Sequence, residues 1–190
     1  SKYFSEQIIR SLSGENVLDE SKINSVILRY FNAAGSNPEL IIGQDYPNPT
    51  HLITLAIEAA LGLREKLVIF GNDYNTKDGT CIRDYIHVQD LARAHAKALE
   101  YSFDNNGSET FNIGTGVGTS NLDVVKIIKD IHGEFNWEYG KRREGDPAAY
   151  FANPEKARQI LGWSSELTVK EAIQDAYNWK RQFPDGYRGI

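Results

Sequence analysis

The chain has 190 residues, 41% of them hydrophobic and 25% charged, with a formal net charge of -5 at pH 7. That length and balance fit one soluble globular domain able to bury a real core, and they argue against a disordered or fibrous chain. The negative charge argues against long-range attraction of nucleic acid, the single cysteine cannot form an internal disulfide, and the apolar runs are too short to span a bilayer. The amino end lacks the charged, apolar, then small-residue order of a signal, so the expected compartment is the cytoplasm. The chain opens Ser1-Lys2 and contains no Met. A processed or cloned fragment would start this way, and so would a Met-poor sequence that had lost its initiator.

Tyr3, Phe4, Ile8, Ile9 and Leu12 recur at helical spacing, which predicts an amphipathic helix over the first dozen residues, ending near Gly14. The run Val26-Ile27-Leu28, leading through Arg29-Tyr30-Phe31-Asn32 into a loop of Gly, Asn and Pro, predicts a buried parallel strand with site residues at its carboxyl end. Thr50 is placed to cap a helix from about His51 to Leu61, stopped by Gly62. Leu67-Val68-Ile69-Phe70 reads as a short strand running into Gly71-Asn72-Asp73, with a second turn at Asp78-Gly79. A helix carrying Leu91, Ala94, Ala98 and Leu99 follows, then a strand at Thr110-Phe111-Asn112-Ile113. Ser120 begins a helix with Leu122, Val125, Ile128 and Ile131 inward, and Phe135 to Tyr139 is expected as a last strand. After a loop from Lys141 to Ala149, Pro154 opens a short helix closed by Gly162. Thr168-Val169-Lys170-Glu171 matches a capping box for the final helix, which runs to about Gln182. The alternation predicts an α/β fold with site residues gathered in irregular loops.

The segment Asp78 to Asp90 sets one fixed cation in an apolar strand. Strand alternation places Cys81, Arg83 and Tyr85 on one face and Ile82, Asp84 and Ile86 on the other. Arg83 needs an anion: either the phosphate or carboxylate of a small molecule, which suits the planar guanidinium, or a protein carboxylate such as Asp84. Gly114-Thr115-Gly116-Val117-Gly118 lies between strand and helix, with Glu138 at the distance of a ribose-binding acid. Thr119 stands where the fingerprint needs its third glycine, so a plain tight turn is expected there. Lys141-Arg142-Arg143-Glu144-Gly145-Asp146 offers either a solvated charged loop or a second arginine clamp. His51, His87, His95 and His132 are too scattered for a metal, and none is expected.

At Arg29-Tyr30-Phe31-Asn32-Ala33-Ala34-Gly35, Ile69-Phe70-Gly71-Asn72-Asp73-Tyr74, Asp78-Gly79-Thr80 with Arg83-Asp84-Tyr85-Ile86-His87-Val88, and Arg142-Arg143-Glu144-Gly145-Asp146, the chain resembles the UDP-glucose 4-epimerases. These belong to the extended short-chain dehydrogenase/reductase superfamily, and the blocks follow the order of their carboxyl-terminal half. Gly162-Trp163 and Pro184-Asp185-Gly186-Tyr187 fit as well. The resemblance implies a remnant of the NAD-binding Rossmann domain over residues 1–32 and a mainly UDP-sugar-binding domain over 33–190. It implies isomerisation of UDP-glucose and UDP-galactose by removal of a hydride from C4 to bound NAD and its return in the intact enzyme, expected to be a homodimer with the first helix in its interface, where Tyr3, Phe4 and Ile8 would let a shortened chain associate. Ser1-Lys2 looks like the end of the family's catalytic Tyr-x-x-x-Lys motif. Lys2 would then be the catalytic Lys, meeting NAD together with Tyr30, while its Tyr and the glycine-rich fingerprint would precede this sequence. The isolated chain is accordingly expected not to turn over.

Carried over residue by residue, the resemblance implies that Asn32, Arg83 and Arg143 meet the diphosphate or nearby ribose. Leu52 and Val68, Ile69 and Phe70 would surround the uridine, Asp146 would meet its ribose, and Tyr85 would lie near the same site. Phe31 and Tyr150 would border the sugar, the bulk of Tyr150 favouring glucose and galactose over N-acetylated sugars. His51 stands where the family often has Asn. A stand-alone sugar-nucleotide binding module and a dehydratase or decarboxylase relative remain as alternatives.

Overall fold

The computed structural model describes residues 1–13, 23–37, 39 and 42–189. Helix α1 (Lys2–Ser13) leaves Tyr3, Phe4, Ile8 and Leu12 exposed along one flank, and its expected end at Gly14 lies outside the described residues. An ion pair of Glu6 with Arg29 at 2.5 Å ties the helix to β1 (Ser25–Tyr30). β1 pairs in parallel with β6 (Ser108–Ile113), Leu28 opposite Phe111. This joins the expected first unit to a strand of the expected second.

The chain then changes partner. The Phe31 N–H still donates to Ile113 O at 3.2 Å, whereas the next N–H, of Asn32, donates to Asp84 O at 3.0 Å. β2 (Asn32–Ala34) therefore runs parallel to β5 (Tyr85–His87). β3 (Leu67–Phe70) pairs in parallel with β8 (Trp137–Gly140). β4 (Ile82–Arg83) lies between β7 (Thr119–Ser120), antiparallel, and β9 (Ala149–Tyr150), parallel.

Helices α2 (Leu52–Ala60), α4 (Asn121–His132) and α6 (Val169–Gln182) close one core around Ile57, Ile69, Val124, Ile128 and Ile173. α3 (Val88–Asp104) and α5 (Glu155–Leu161) close a second around Ile86, Ala94, Phe111, Ile113 and Trp163. In α4, Val124, Val125 and Ile128 are buried, the one-sided burial that helical periodicity demands.

Several boundaries differ from expectation. The N-cap of α2 is His51 rather than Thr50; it makes no side-chain capping bond and lines the cavities described below. Pro154 occupies the N-cap of α5, while Gly162 ends it in the left-handed conformation as expected. The strand expected over Phe135 to Tyr139 is β8, shifted towards Gly140, and it is followed by β9. Glu138 forms a surface pair with Lys66 at 3.0 Å, held there by the β3–β8 register, and so has no part in a ribose site beside the glycine loop.

The predicted capping box at Thr168 forms, and α4 opens on a second one at Ser120, where only a helix start was expected. Ser120 Oγ accepts from Asp123 N while the Asp123 carboxylate accepts from Ser120 N. The same hydroxyl donates to Asp78 Oδ2 at 2.5 Å. Burial opposes ionisation of Asp78, but the bonds from Ser120 and Thr80 outweigh it and hold the carboxyl below its ordinary 3.8. A depressed folded-state value contributes stability above the unfolded pKa and loses it as pH falls through the folded one. Ser120→Ala is expected to cost about 1–2 kcal/mol near neutral pH. It should also lose less stability than the parent on acidification below about pH 4, as urea midpoints at both pH values would show.

Candidate nucleotide-binding site

A cleft of about 190 Å³ opens where the carboxyl ends of β2 and β3 meet β4 and the start of α2. Asn32, His51, Leu52, Val68, Phe70, Arg83, Tyr85, Arg143 and Asp146 all line it. Along β3 the alternation of strand side chains sends Val68 and Phe70 into the cleft and Ile69 into the core, where it is 1% exposed. The expectation that Ile69 helps to surround a ligand is thus corrected: its side chain belongs to the packing beneath the site.

Arg83 is held by its own surroundings. Nη1 donates to Ile82 O at 2.8 Å and Pro147 O at 2.9 Å, and Nη2 lies 3.4 Å from Asp146 Oδ1. Its carboxylate partner is Asp146, at the rim, and not Asp84. These contacts fix the plane of the guanidinium, so little freedom is left to lose when an anion binds. Arg143 is presented differently, with its guanidinium carbon 4.0 Å from the centre of the Phe70 ring and no carboxylate partner among the described residues. The neighbouring Arg142 stacks on Tyr74 at 3.9 Å and does not line the cleft. Of the two adjacent arginines, one therefore serves the cleft and the other braces the loop.

Tyr85 is 6% exposed, and burial pushes its phenol above the ordinary 10 despite the opposing pull of Arg83. It stays neutral near neutral pH and forms part of the cleft wall.

A second cavity of about 600 Å³ adjoins the first. The two share Asn32, Ala33, Ala34, Gly35, Gln44 and His51, and the second adds Lys2, Tyr30, Phe31 and Tyr150. The Phe31 and Tyr150 rings lie 4.9 Å apart. Tyr150 is 58% exposed, the side chain of a rim. Lys2 makes no ion pair among the described residues, so its cation remains available at the far wall.

The glycine-rich turn is already filled by the protein. Asp84, fully buried, accepts from Thr115 N at 3.0 Å, Thr115 Oγ1 at 2.6 Å, Gly116 N at 3.0 Å and Ala152 N at 3.1 Å. Converging backbone N–H groups form an anion-binding concavity, and here the anion is this side chain. A Cβ at Gly114 would stand 2.6 Å from Asp84 Oδ2, so the glycine admits the carboxylate. The turn is a structural one, as expected.

The remaining histidines also have structural partners. His87 Nδ1 accepts from Gln89 N, which places its proton on Nε2, facing Asp175 at 3.3 Å. His132 Nδ1 lies 2.8 Å from Tyr177 Oη. No group of three or more His, Cys, Asp or Glu side chains able to hold a metal occurs among the described residues, and no described helix is long and apolar enough to cross a membrane.

Gln44, Asn121 and Cys81 line the cleft without having been singled out from sequence. Only Cys81 carried a signal, by alternation with Arg83 and Tyr85. Asn121 is brought in by the β4–β7 pairing, its N–H donating to Cys81 O at 3.0 Å, and Gln44 by a loop whose course depends on the far end of the chain.

A family model described as GDP-mannose 4,6 dehydratase matches residues 1–176. Among curated relatives, a UDP-glucose 4-epimerase of Rhizobium meliloti (strain 1021) is 48% identical over 158 residues, covering 83% of this chain and 48% of the relative. The chain thus spans about half the length of the curated relatives it matches. Among solved structures, the UDP-glucose 4-epimerase of Stenotrophomonas maltophila with bound NAD and formylated UDP-arabinopyranose is 34% identical, with a TM-score of 0.90 over 100% of this chain and 55% of that one. The Bifidobacterium longum UDP-glucose 4-epimerase in complex with NAD+ and UDP is 37% identical, with a TM-score of 0.88 over 98% of this chain and 55% of that one. Matched by the family model through most of its length, and similar in sequence and fold to these epimerases, the chain belongs to the GDP-mannose 4,6 dehydratase family.

Proposed function

We propose that the chain supplies the UDP-sugar site of a UDP-glucose 4-epimerase acting on UDP-glucose and UDP-galactose. The observation that carries this reading is the pairing of two cations, Arg83 braced by backbone carbonyls and Arg143 stacked on Phe70, in a cleft with an apolar wall of Leu52, Val68 and Phe70. A diphosphate suits the first part and a flat base the second. Asp146, already beside Arg83, is placed to accept from a ribose hydroxyl. UDP and NAD+ in the Bifidobacterium longum relative support the same assignment.

The nucleotide cleft opens into the larger cavity, so a sugar attached to the diphosphate extends past Asn32 and His51 towards Phe31, Tyr150 and Lys2. Lys2, without an ion pair among the described residues, and the Tyr30 ring at that wall fit a dinucleotide's ribose and nicotinamide end. NAD bound there would supply the acceptor and donor of the C4 hydride. Lys2 would favour ionisation of a neighbouring catalytic phenol. A loose sugar cavity beside a firm diphosphate grip lets binding energy from the nucleotide hold the hexose near the reacting groups while leaving it free to present either face. The Tyr150 ring narrows this cavity against an N-acetyl group. The exposed flank of α1 supports a homodimer, and the lone, buried Cys81 a reducing compartment such as the cytoplasm.

Calorimetric titration tests the reading. UDP is expected to bind the chain with a dissociation constant of about 10–100 μM, and uridine, lacking the diphosphate, at least about 30-fold more weakly. Equal affinity for UDP and uridine, or binding of neither, would overturn it.

A further inference from the structure

The loop that places Gln44 at the junction of the two cavities is held by the last residues of the chain. Tyr187 Oη accepts from Gly43 N at 3.1 Å, and the Tyr187 N–H donates to Asp45 Oδ2 at 3.2 Å. Both bonds link the carboxyl-terminal end of the chain to its first quarter, flanking Gln44 on either side. The Tyr187 ring lies 5.1 Å from Trp179 of α6. Gly43 lies against the same indole so closely that a Cβ there would stand 2.1 Å from it, and a Cβ at Gly186 would meet Asp45 Oδ1 at 2.3 Å. Two glycines therefore permit the approach: a Cβ at Gly43 would force the loop and the indole apart, and one at Gly186 would displace the Asp45 carboxylate.

We infer that Tyr187, seated on Trp179, is a positioning residue that latches the Gly43–Asp45 loop and thereby sets Gln44 between the two cavities. Gln44 itself is oriented by a second contact, its Oε1 accepting from Thr54 Oγ1 at 2.7 Å. It lines both the nucleotide cleft and the larger cavity. With the latch formed, the carboxamide stands where a ligand passing from one cavity to the other must meet it. With the latch broken, the loop keeps its sequence but loses the two anchors that bracket Gln44, one at the Gly43 backbone and one at the Asp45 carboxylate. The consequence for ligand binding rests on the proposed function; the latch does not.

The test uses the 190-residue chain and two variants, Tyr187→Phe, which removes only the hydroxyl, and Gly186→Ala, which pushes on Asp45. Amide hydrogen exchange at Gly43 and the side-chain amide resonance of Gln44 are read without ligand, with Phe111 and Ile113 as core controls. Exchange at Gly43 is expected to rise about tenfold in Tyr187→Phe, as loss of one hydrogen bond implies. The Gln44 resonance should move in both variants while the core controls stay unchanged. Unchanged Gly43 exchange and an unmoved Gln44 resonance in both would overturn the latch. UDP titration then reads its effect: an affinity about fivefold weaker in Tyr187→Phe should show no further loss when Gln44→Ala is already present. A full additional loss in that background would show that Tyr187 does not act through Gln44 and would overturn the positioning role. If the parent chain bound no UDP, the proposed function would fail, while the exchange and resonance measurements would still decide the latch.

Discussion

Arg83→Ala is expected to weaken UDP binding by about 100-fold, the largest loss for any single residue of the cleft. The magnitude follows from the bonds at stake, since hydrogen bonds to charged groups are worth about 1.5–3 kcal/mol each when made in a shielded site. Arg83 is shielded, its side chain 15% exposed, and it is oriented before any ligand arrives by Ile82 O and Pro147 O. Arg83→Lys keeps the charge but loses the planar fork and those backbone bonds, so a loss of about tenfold is expected. The contrast between Ala and Lys separates geometry from charge. Arg143, stacked on Phe70 without a carboxylate partner, should lose about tenfold on change to Ala, with a weaker dependence on fixed orientation. Calorimetry over a series of salt concentrations checks all three. An Arg83→Ala affinity within threefold of the parent, in a chain with an unchanged melting curve, would remove Arg83 from the diphosphate site.

The second large effect concerns stability. Asp84→Ala is expected to destabilise the chain by about 3–5 kcal/mol, because it withdraws one fully buried carboxylate from four donors at once. The backbone N–H groups of Thr115, Gly116 and Ala152 would remain in place without a partner, and it is this unmet desolvation that sets the size of the loss. Asp84→Asn preserves volume and one acceptor oxygen but turns an NH2 group towards N–H donors, so a loss of about 2–4 kcal/mol is expected. Urea unfolding of both variants gives the values. The loss should also reach the ligand site, since Asp84 O receives Asn32 N and the adjacent Arg83 lines the cleft. If Asp84→Ala unfolded within 1 kcal/mol of the parent, water would have to replace the carboxylate, and the turn would be open to an external anion after all.

Much of this was legible in the chain before its fold was known. The periodicity of Leu122, Val125 and Ile128, the helix start at Ser120, the capping box at Thr168, and the apolar runs at Val26 and Leu67 depend on neighbours a few residues away, and each formed. Alternation placed Cys81, Arg83 and Tyr85 on one wall because a strand repeats every two residues whatever it pairs with. The same rule applied to β3 sends Val68 and Phe70 to the cleft and Ile69 between them into the core.

Other features were settled by contacts between distant segments. Whether Arg83 would pair with Asp84 or Asp146 depended on β9 lying beside β4, which brings Pro147 and Asp146 to the guanidinium. Whether the glycine-rich turn would hold a nucleotide or a protein carboxylate depended on where Asp84 points, since the N–H groups are the same in either case. Gln44 entered the site because Tyr187 and Trp179 hold its loop from the far end of the chain. By itself the sequence determined the helices, the longer strands β1, β3, β6 and β8, and the shared face of Cys81, Arg83 and Tyr85, because these follow from backbone geometry and short-range spacing. Only the tertiary structure decided which anion each cation and each cluster of N–H groups would find, because those partners come together through long-range pairing and burial, where an unmatched charge costs more than any local preference can repay.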